Sequence, residues 1–400
     1  MTTANELKNL RERIAESDEI ADIDRAVLDR FDDRLTLLNQ TYTDLRHLKL
    51  LRHVTIIAES LPDETLADAL DSRDAAEDIV AWVNRTYSNE ETNRDYRSAL
   101  RVFGKRVTDG DDWPDSISWV PTSTSSDYDP TPDPREMLRW EDDIQPMLDA
   151  APNSRARALI ALQFDAGLRG GELKSLRIGD LQSHKHGLQV TVDGKQGQRT
   201  LLLIPAVPHV NNWLADHPAR DDSDAPLWSH LRSPQSISDR MLYDIFESAA
   251  DDAGVDKPVT PTNFRKSSAA FLASRNLNQA HIEDHHGWVR GSDACARYIA
   301  VFGSDTDREL ARLHGRDVSE DEPDRIDPLD CPTCGHANDR TDSFCSRCGQ
   351  VLDPGTAAEV EVVDENIQRQ LAALDPDDAE KLLDVLDALE SADVRDSVTD

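Results

Sequence analysis

No apolar run in this 400-residue sequence approaches the roughly 20 residues of a membrane span, and the N-terminus lacks the basic-then-apolar pattern of a signal peptide. A soluble, cytoplasmic protein with no membrane partner is expected. Positive charge is scarce as well. The chain carries 44 Lys and Arg against 78 Asp and Glu, a net charge of −34. Such a balance argues against nucleic acid, because phosphate contacts come from Lys and Arg. The acid is nevertheless spread along the whole chain, in short groups such as Asp221-Asp222 and Asp251-Asp252. That distribution suits a surface adapted to very high salt, where acidic side chains keep the protein hydrated and apart. The competing reading is an acidic protein that avoids nucleic acid altogether, and local charge separates the two.

Against this acidic background, the stretch Val255 to Phe302 holds six basic and four acidic residues, a local excess of +2. Two further basic stripes lie near the N-terminus. Between residues 4 and 60 apolar side chains recur at three- and four-residue spacing, as in Leu45, Leu48, Leu51 and Val54, with Arg46, Lys49, Arg52 and His53 interleaved. A later helix, announced by Ser88 with Glu91 three residues on as a capping box, presents Arg94, Arg97, Arg101 and Lys105 at helical spacing. In a sequence that elsewhere avoids basic residues, these stripes point to backbone-phosphate contact, against the plainer reading of solubilising charge or internal ion pairs. A chain of this length holds two or three domains. Residues 1–107 read as a helical DNA-clamp domain, and 108–134, rich in Pro, Ser, Thr and Asp without helical period, as an interdomain linker.

The next domain, 135–315, opens on predicted helices over residues 136–150 and 154–164 and runs into a turn. There Gly167 ends one helix, Gly170-Gly171 lead into another, and Arg169 stands between them. An arginine on such a corner can offer its planar fork to a phosphate; the plain alternative is a capping arginine paired with Glu172. Two predicted strands, 187–192 and 200–204, flank a Gly-bounded turn with Lys195 near its tip, where a lysine is either solubilising or poised as general acid toward a leaving oxygen. Tyr298 is either a covalent nucleophile for a phosphodiester or a core aromatic, and Trp288 either positions it or packs the core.

In order along the chain, AGLRGGELKSLRIGDL (166–181), GKQGQR (194–199), PTNFRKS (261–267), the pair Gly287-Trp288 and then Tyr298 resemble the boxes of the tyrosine recombinases, the integrase family that cuts and joins DNA at specific sites. The likeness is greatest to the archaeal branch. It implies a mainly α catalytic domain with a small antiparallel β-sheet, behind a helical SAM-like N-terminal domain. It implies catalytic roles for Arg169, Lys195, Arg265, Trp288 and Tyr298, and assembly as a homo-tetramer on double-stranded DNA. The chemistry is consistent on its own terms. Two permanently protonated arginines neutralise charge building on the non-bridging oxygens without a metal, and a phosphotyrosine conserves the broken bond so that rejoining needs no ATP. One position departs from the family: its second box usually begins with a histidine, and this chain has Thr262 there. Threonine hydrogen-bonds a phosphate oxygen but holds no proton near neutral pH. The tyrosine proton would then pass to water, Lys195, His285 or His286, or activity is impaired.

Four of the five cysteines form two CxxC knuckles, Cys331 with Cys334 and Cys345 with Cys348. This spacing predicts a closed structural Zn²⁺ site with four thiolates in a small zinc ribbon, 328–352. Cys295 reads as a small buried side chain. The acidic remainder, 353–400, contains a predicted amphipathic helix over 375–392, which docks on a neighbouring subunit or on the ribbon. The whole sequence reads as a site-specific DNA recombinase or integrase acting through a 3′-phosphotyrosine. The alternatives are a weak or inactive DNA-binding relative, on account of Thr262, and a protein-interaction factor acting through the ribbon and tail.

Overall fold

The computed structural model describes residues 3–62, 65–108, 112–194, 197–303, 306–318, 325–353, 355–358 and 362–363. Lys195 and the helix expected over 375–392 lie outside the described residues. The chain divides into two compact units, Met1–Pro130 and Thr131–Asp400.

The first unit is helical: α1 (Thr3–Glu16), α2 (Asp22–Leu37), α3 (Asp44–Ser60), α4 (Thr65–Asp68), α5 (Arg73–Thr86), α6 (Glu90–Val107) and α7 (Asp115–Ser118). Side-chain caps set the starts of α3, α5 and α6. Thr43 accepts the Arg46 N–H to open α3, and Asn89 accepts the Thr92 N–H at 3.0 Å to open α6. The cap of α6 is therefore one residue later than the expected Ser88, because Asn89 holds the last extended backbone before the helix. Phe31 and Phe103, both fully buried, meet edge to face at 5.4 Å in the centre of this core.

The segment expected as a linker is mostly part of the first unit. Ile117 and Val120 are fully buried in the same core as Phe31. Arg97 donates to the carbonyls of Pro121 (2.6 Å) and Ser123 (3.0 Å), and Glu90 accepts both the N–H and the hydroxyl of Ser125. A polar, proline-rich texture hid two apolar anchors spaced three apart on one turn.

The second unit is built around α9 (Ser154–Ala166), whose residues Ala158 to Leu162 are all fully buried. The helix expected over 136–150 is shorter: a π-turn at Trp140–Ile144 runs into α8 (Gln145–Ala150). After α9 come α10 (Gly170–Ser175) and an antiparallel sheet of β1 (Leu181–His184), β2 (Gly187–Gly194) and β3 (Gly197–Leu203), in that order. The hairpin is in register down to Gly194 opposite Gly197. Then follow α11 (Val207–Asp216), packed on α9, the short pair β4 (Ser229–His230) and β5 (Ser233–Ser236), and α12 (Asp239–Ala253). The unit continues with α13 (Pro261–Ser274), α14 (Gln279–His286), α15 (Asp293–Phe302) and α16 (Thr306–Leu313). The ring N–H of the fully buried Trp228 donates to the carbonyl of Leu173 at 2.8 Å, which fastens α10 to the core. A satellite core of Ala269, Ala270, Ala273, Ile282, Cys295 and Tyr298 lies among α13, α14 and α15. The architecture is mainly α with small antiparallel sheets. Among the described residues no helix is long and apolar enough to cross a membrane.

Candidate active site

Three helix ends meet at this site. Helix α9 stops at Gly167, whose left-handed backbone (φ 56°) turns the chain so that Arg169 becomes the N-cap of α10. Thr260 caps α13 and Pro261 fills its first turn, which sets Arg265 one turn in. Gly287, also left-handed (φ 59°), ends α14 and hands the chain to Trp288.

The last carbonyls of a helix have no partner within it and carry the negative end of its dipole. At the end of α14 the carbonyls of its last two residues and of its cap, Gly287, are taken by three different arginines. Arg199 Nε donates to the His285 carbonyl (3.1 Å), Arg265 Nη2 to that of His286 (2.5 Å), and Arg169 Nη2 to that of Gly287 (3.2 Å). Arg265 Nη1 also donates to the Gly167 carbonyl at 2.8 Å, so that one guanidinium ties the end of α9 to the end of α14. Glu172, with a side chain only 5% exposed, holds two of these arginines at once. Its Oε1 accepts from Arg169 Nη1 at 2.7 Å and its Oε2 from Arg199 Nη2 at 2.8 Å. Among the described residues it is the one carboxylate ion-paired with the cluster. Three guanidiniums against one carboxylate leave an excess of positive charge in a partly dry corner. Burial, and then the neighbouring Arg169, push Arg265 down to about 9. For Glu172, burial works against ionisation, and the hydrogen bonds from Arg199 and Arg169 outweigh it, holding the carboxyl at about 2.

Arg265 lies 5.2 Å from the centre of the Trp288 ring, and Trp288 stacks nearly parallel to Tyr298 with ring centres 5.8 Å apart. Tyr298 is 8% exposed. Burial pushes its hydroxyl up to about 12, against the pull of Arg265 and Arg297. The structure thus brings Arg169, Arg265, Trp288 and Tyr298 together; Lys195 lies outside the described residues. Thr262 is exposed in the first turn of α13.

The two histidines expected as proton acceptors are engaged elsewhere. His285 Nε2 meets the Asp165 carbonyl at 2.9 Å, and His286 Nδ1 the Ile282 carbonyl at 3.1 Å. Burial lowers both, His285 to about 4, so they are neutral near pH 7. His286 also stacks on Trp288 (ring centres 4.9 Å apart), which in turn stacks on Tyr298. The residues that sequence reasoning passed over are Arg199, and Glu172 as a shared anchor. A signal was there: Arg199 is in phase with Leu201 and Leu203 and pairs across the hairpin with Val192, all three buried, so it points toward the core and needs a partner.

The candidate DNA contacts of the first unit stand differently. Arg46 is exposed on α3. Lys49 pairs with Asp95 (2.5 Å), Arg52 with Glu6 (2.9 Å) and Arg94 with Asp95 (3.7 Å). Arg101 and Lys105 both sit over the Trp113 ring, at 4.1 and 4.6 Å. Arg97 is only 7% exposed, with its guanidinium on the Pro121 and Ser123 carbonyls; it braces the fold and is not available to phosphate.

The four ribbon sulfurs converge within 4.8 Å of one another. Each knuckle closes in the same way: the N–H of Gly335 returns to the Cys331 carbonyl, and that of Gly349 to the Cys345 carbonyl, both at 2.9 Å. Tetrahedral zinc thiolates at about 2.3 Å imply sulfur separations of about 3.8 Å. The observed Cys331–Cys348 and Cys334–Cys345 separations are 3.6 and 3.7 Å, so the residues fit such an ion. The ribbon, expected as a module of its own, is seated on the second unit. Asp339 in its loop meets His209 of α11 at 3.1 Å, both buried, and Ser346 reaches Asn212. Cys295 is fully buried.

Residues 140–304 match the sequence profile of the phage integrase family. Similar curated proteins include a tyrosine recombinase of Synechocystis sp., 27% identical over 148 residues that make up 36% of this chain and 46% of that protein. The tyrosine recombinase XerA of Pyrococcus furiosus is 26% identical over 36% of this chain and 50% of its own length. The chain thus spans about half the length of these two relatives. Among solved structures, a lambda integrase dimer bound to a COC′ core site superposes with a TM-score of 0.53 at 15% identity, covering 68% of this chain and 76% of that one. A lambda integrase tetramer bound to a Holliday junction gives 0.52 at 16% identity over the same shares. The mainly helical fold is that of these recombinases, and the profile and relatives support a tyrosine recombinase or phage integrase relationship for the second unit.

Proposed function

We propose that the chain is a site-specific DNA recombinase that cuts and rejoins double-stranded DNA through a 3′-phosphotyrosine on Tyr298, using neither metal nor ATP for catalysis. The observation that carries this reading is the cluster of Arg169 and Arg199 on the single carboxylate of Glu172 with Arg265 beside them on backbone carbonyls, adjoining the Trp288–Tyr298 stack. Arg169 and Arg265 neutralise the non-bridging oxygens, whose charge grows in the transition state. Tyr298 Oη attacks phosphorus, the bond from phosphorus to the 5′ oxygen breaks, and that oxygen takes a proton, with Lys195 as its donor. The tyrosine proton leaves to solvent, since His285 and His286 each spend one ring nitrogen on a backbone carbonyl and burial makes both weak bases. Attack of a 5′ hydroxyl on the phosphotyrosine reverses every bond and rejoins a strand. The first unit serves as the helical clamp, and strand exchange between two duplexes calls for a homo-tetramer on the DNA. The dispersed acid is read as adaptation of a cytoplasmic, archaeal protein to high salt.

The exposed threonine at the first turn of α13 favours a second reading, a relative that holds DNA without cutting it. One experiment separates the readings: a pool of nicked duplexes of randomised sequence, incubated from low to multimolar KCl, with protein–DNA adducts recovered in denaturant. An adduct that vanishes in Tyr298→Phe supports the enzyme. Binding without adduct at every salt leaves the holding protein. No binding at any salt leaves a protein-interaction factor acting through ribbon and tail. For the ribbon we propose a structural Zn²⁺ on Cys331, Cys334, Cys345 and Cys348, one ion per chain by elemental analysis. Because Asp339 sits in the loop the ion would close, a chelator should lower the unfolding midpoint of the second unit, and Cys345→Ser should reproduce that drop.

A further inference from the structure

We infer that Arg199 is a positioning residue that leaves the charge of Arg169 uncompensated and aimed at the scissile phosphate, by occupying Glu172 and by fixing the turn that Arg169 also grips. This rests on the strand-exchange reading above. Glu172 is close enough to Arg169 to neutralise it. Arg169 donates to it from its backbone N–H (3.1 Å) and from Nη1 (2.7 Å), and a lone Arg169–Glu172 pair would be a closed, neutral unit of little use to a phosphate. Arg199 changes this. Its two terminal nitrogens reach both oxygens of Glu172, at 3.2 and 2.8 Å, so that the carboxylate has two cations and one positive charge is left over. The Arg199 side chain is only 13% exposed, less than the 35% of Arg169. The buried arginine satisfies the acid, and the more open one keeps its outer face toward solvent.

Arg199 also governs geometry. Its Nε holds the His285 carbonyl, two residues before the Gly287 carbonyl that receives Arg169. The packing is close enough that a side chain on either hand would displace these groups. A Cβ at Gly287 would lie 2.8 Å from Arg199 Nη1, and one at Gly194 would lie 2.6 Å from Glu172 Oε1 and 2.8 Å from the same Nη1. The end of the hairpin, the first arginine corner and the Trp288 turn are therefore joined through one guanidinium.

Charge dependence provides the test, because a role confined to holding the fold would not follow the charge of the substrate. In adduct-forming duplexes recovered from the pool, the scissile phosphate is replaced by a methylphosphonate, which lacks one anionic oxygen. On the ordinary phosphodiester Arg199→Ala should form adduct about 10²-fold more slowly than the unaltered protein, and Arg199→Lys, which retains charge but not the fork, about tenfold more slowly. On the methylphosphonate the gap between Arg199→Ala and the unaltered protein should close to within about threefold. That recovery would itself show that the variant is folded. An equal loss on both substrates, or no loss on the phosphodiester, overturns the inference while leaving the enzyme reading intact. Absence of adduct from the unaltered protein on every duplex overturns both.

Discussion

In the first unit the exposed cations lie against carboxylates: Arg11 on Asp32, Arg13 on Glu59, Arg52 on Glu6, and Lys49 with Arg94 on Asp95. In the site of the second unit, Arg169 and Arg199 divide one carboxylate and Arg265 rests on two backbone carbonyls. The residue types are the same and the spacings on paper look alike. The difference lies in what remains after local partners are counted. A paired surface arginine contributes little field beyond its own carboxylate, whereas a cluster short of acid keeps an unsatisfied charge for an anion. For a chain with a net charge of −34 this ratio is a better marker of a phosphate site than the number of basic residues in a stretch.

The comparison breaks most sharply if the acid-poor arginines prove dispensable. Arg265→Ala should slow adduct formation on nicked DNA by about 10³-fold, roughly 4 kcal/mol of transition-state stabilisation, with the protein still folded by circular dichroism. A loss no greater than that of Arg52→Ala would end the distinction. Next in size is the shared acid. Glu172 is held at about 2 in the fold, below its ordinary 4.5, so its contribution is fully present above pH 4.5 and is lost as pH falls toward 2. Removing it in Glu172→Gln should cost about 3 kcal/mol near neutral pH in denaturant titrations, and the difference from the unaltered protein should shrink through that acid window.

Arg97 tests the other half. Arg97→Met keeps the apolar stem and leaves the Pro121 and Ser123 carbonyls without their donor, which should destabilise the first unit by about 2 kcal/mol. DNA binding at saturating protein should be unchanged, and a loss of affinity there would return Arg97 to the phosphate. The smallest effect belongs to the exposed pairs. Lys49→Ala and Arg52→Ala should each move stability by less than about 0.5 kcal/mol. If either side chain leaves its acid for DNA, the slope of log affinity against log salt should fall by about 1, and the pairing would describe only the free protein.

Short-range features were legible in the sequence. The glycine stop at Gly167, the corner arginine, the hairpin and the paired knuckles all follow from residues within a few positions of one another. What escaped depends on distant packing. Ile117 and Val120 sit in a segment whose Pro, Ser and Asp content reads as linker, and only the core they enter reveals them. His285 and His286 looked like acid–base chemistry, yet the helix that carries them turns both toward backbone carbonyls. The strand phase of Arg199 gave its direction but not its partners, Glu172 and the His285 carbonyl, which lie 27 and 86 residues away. The seat of the ribbon depends on His209 meeting Asp339 across 130 residues of sequence.

The close approach of Arg199 to Gly287 also makes the two positions one inheritable choice. A left-handed turn alone would admit asparagine, but here a Cβ would press on the guanidinium of Arg199, which its own hydrogen bonds hold in place. Lineages that shorten Arg199 are freed to elaborate the turn, and those that keep it cannot. Among descendants of this fold the two positions should drift together or not at all.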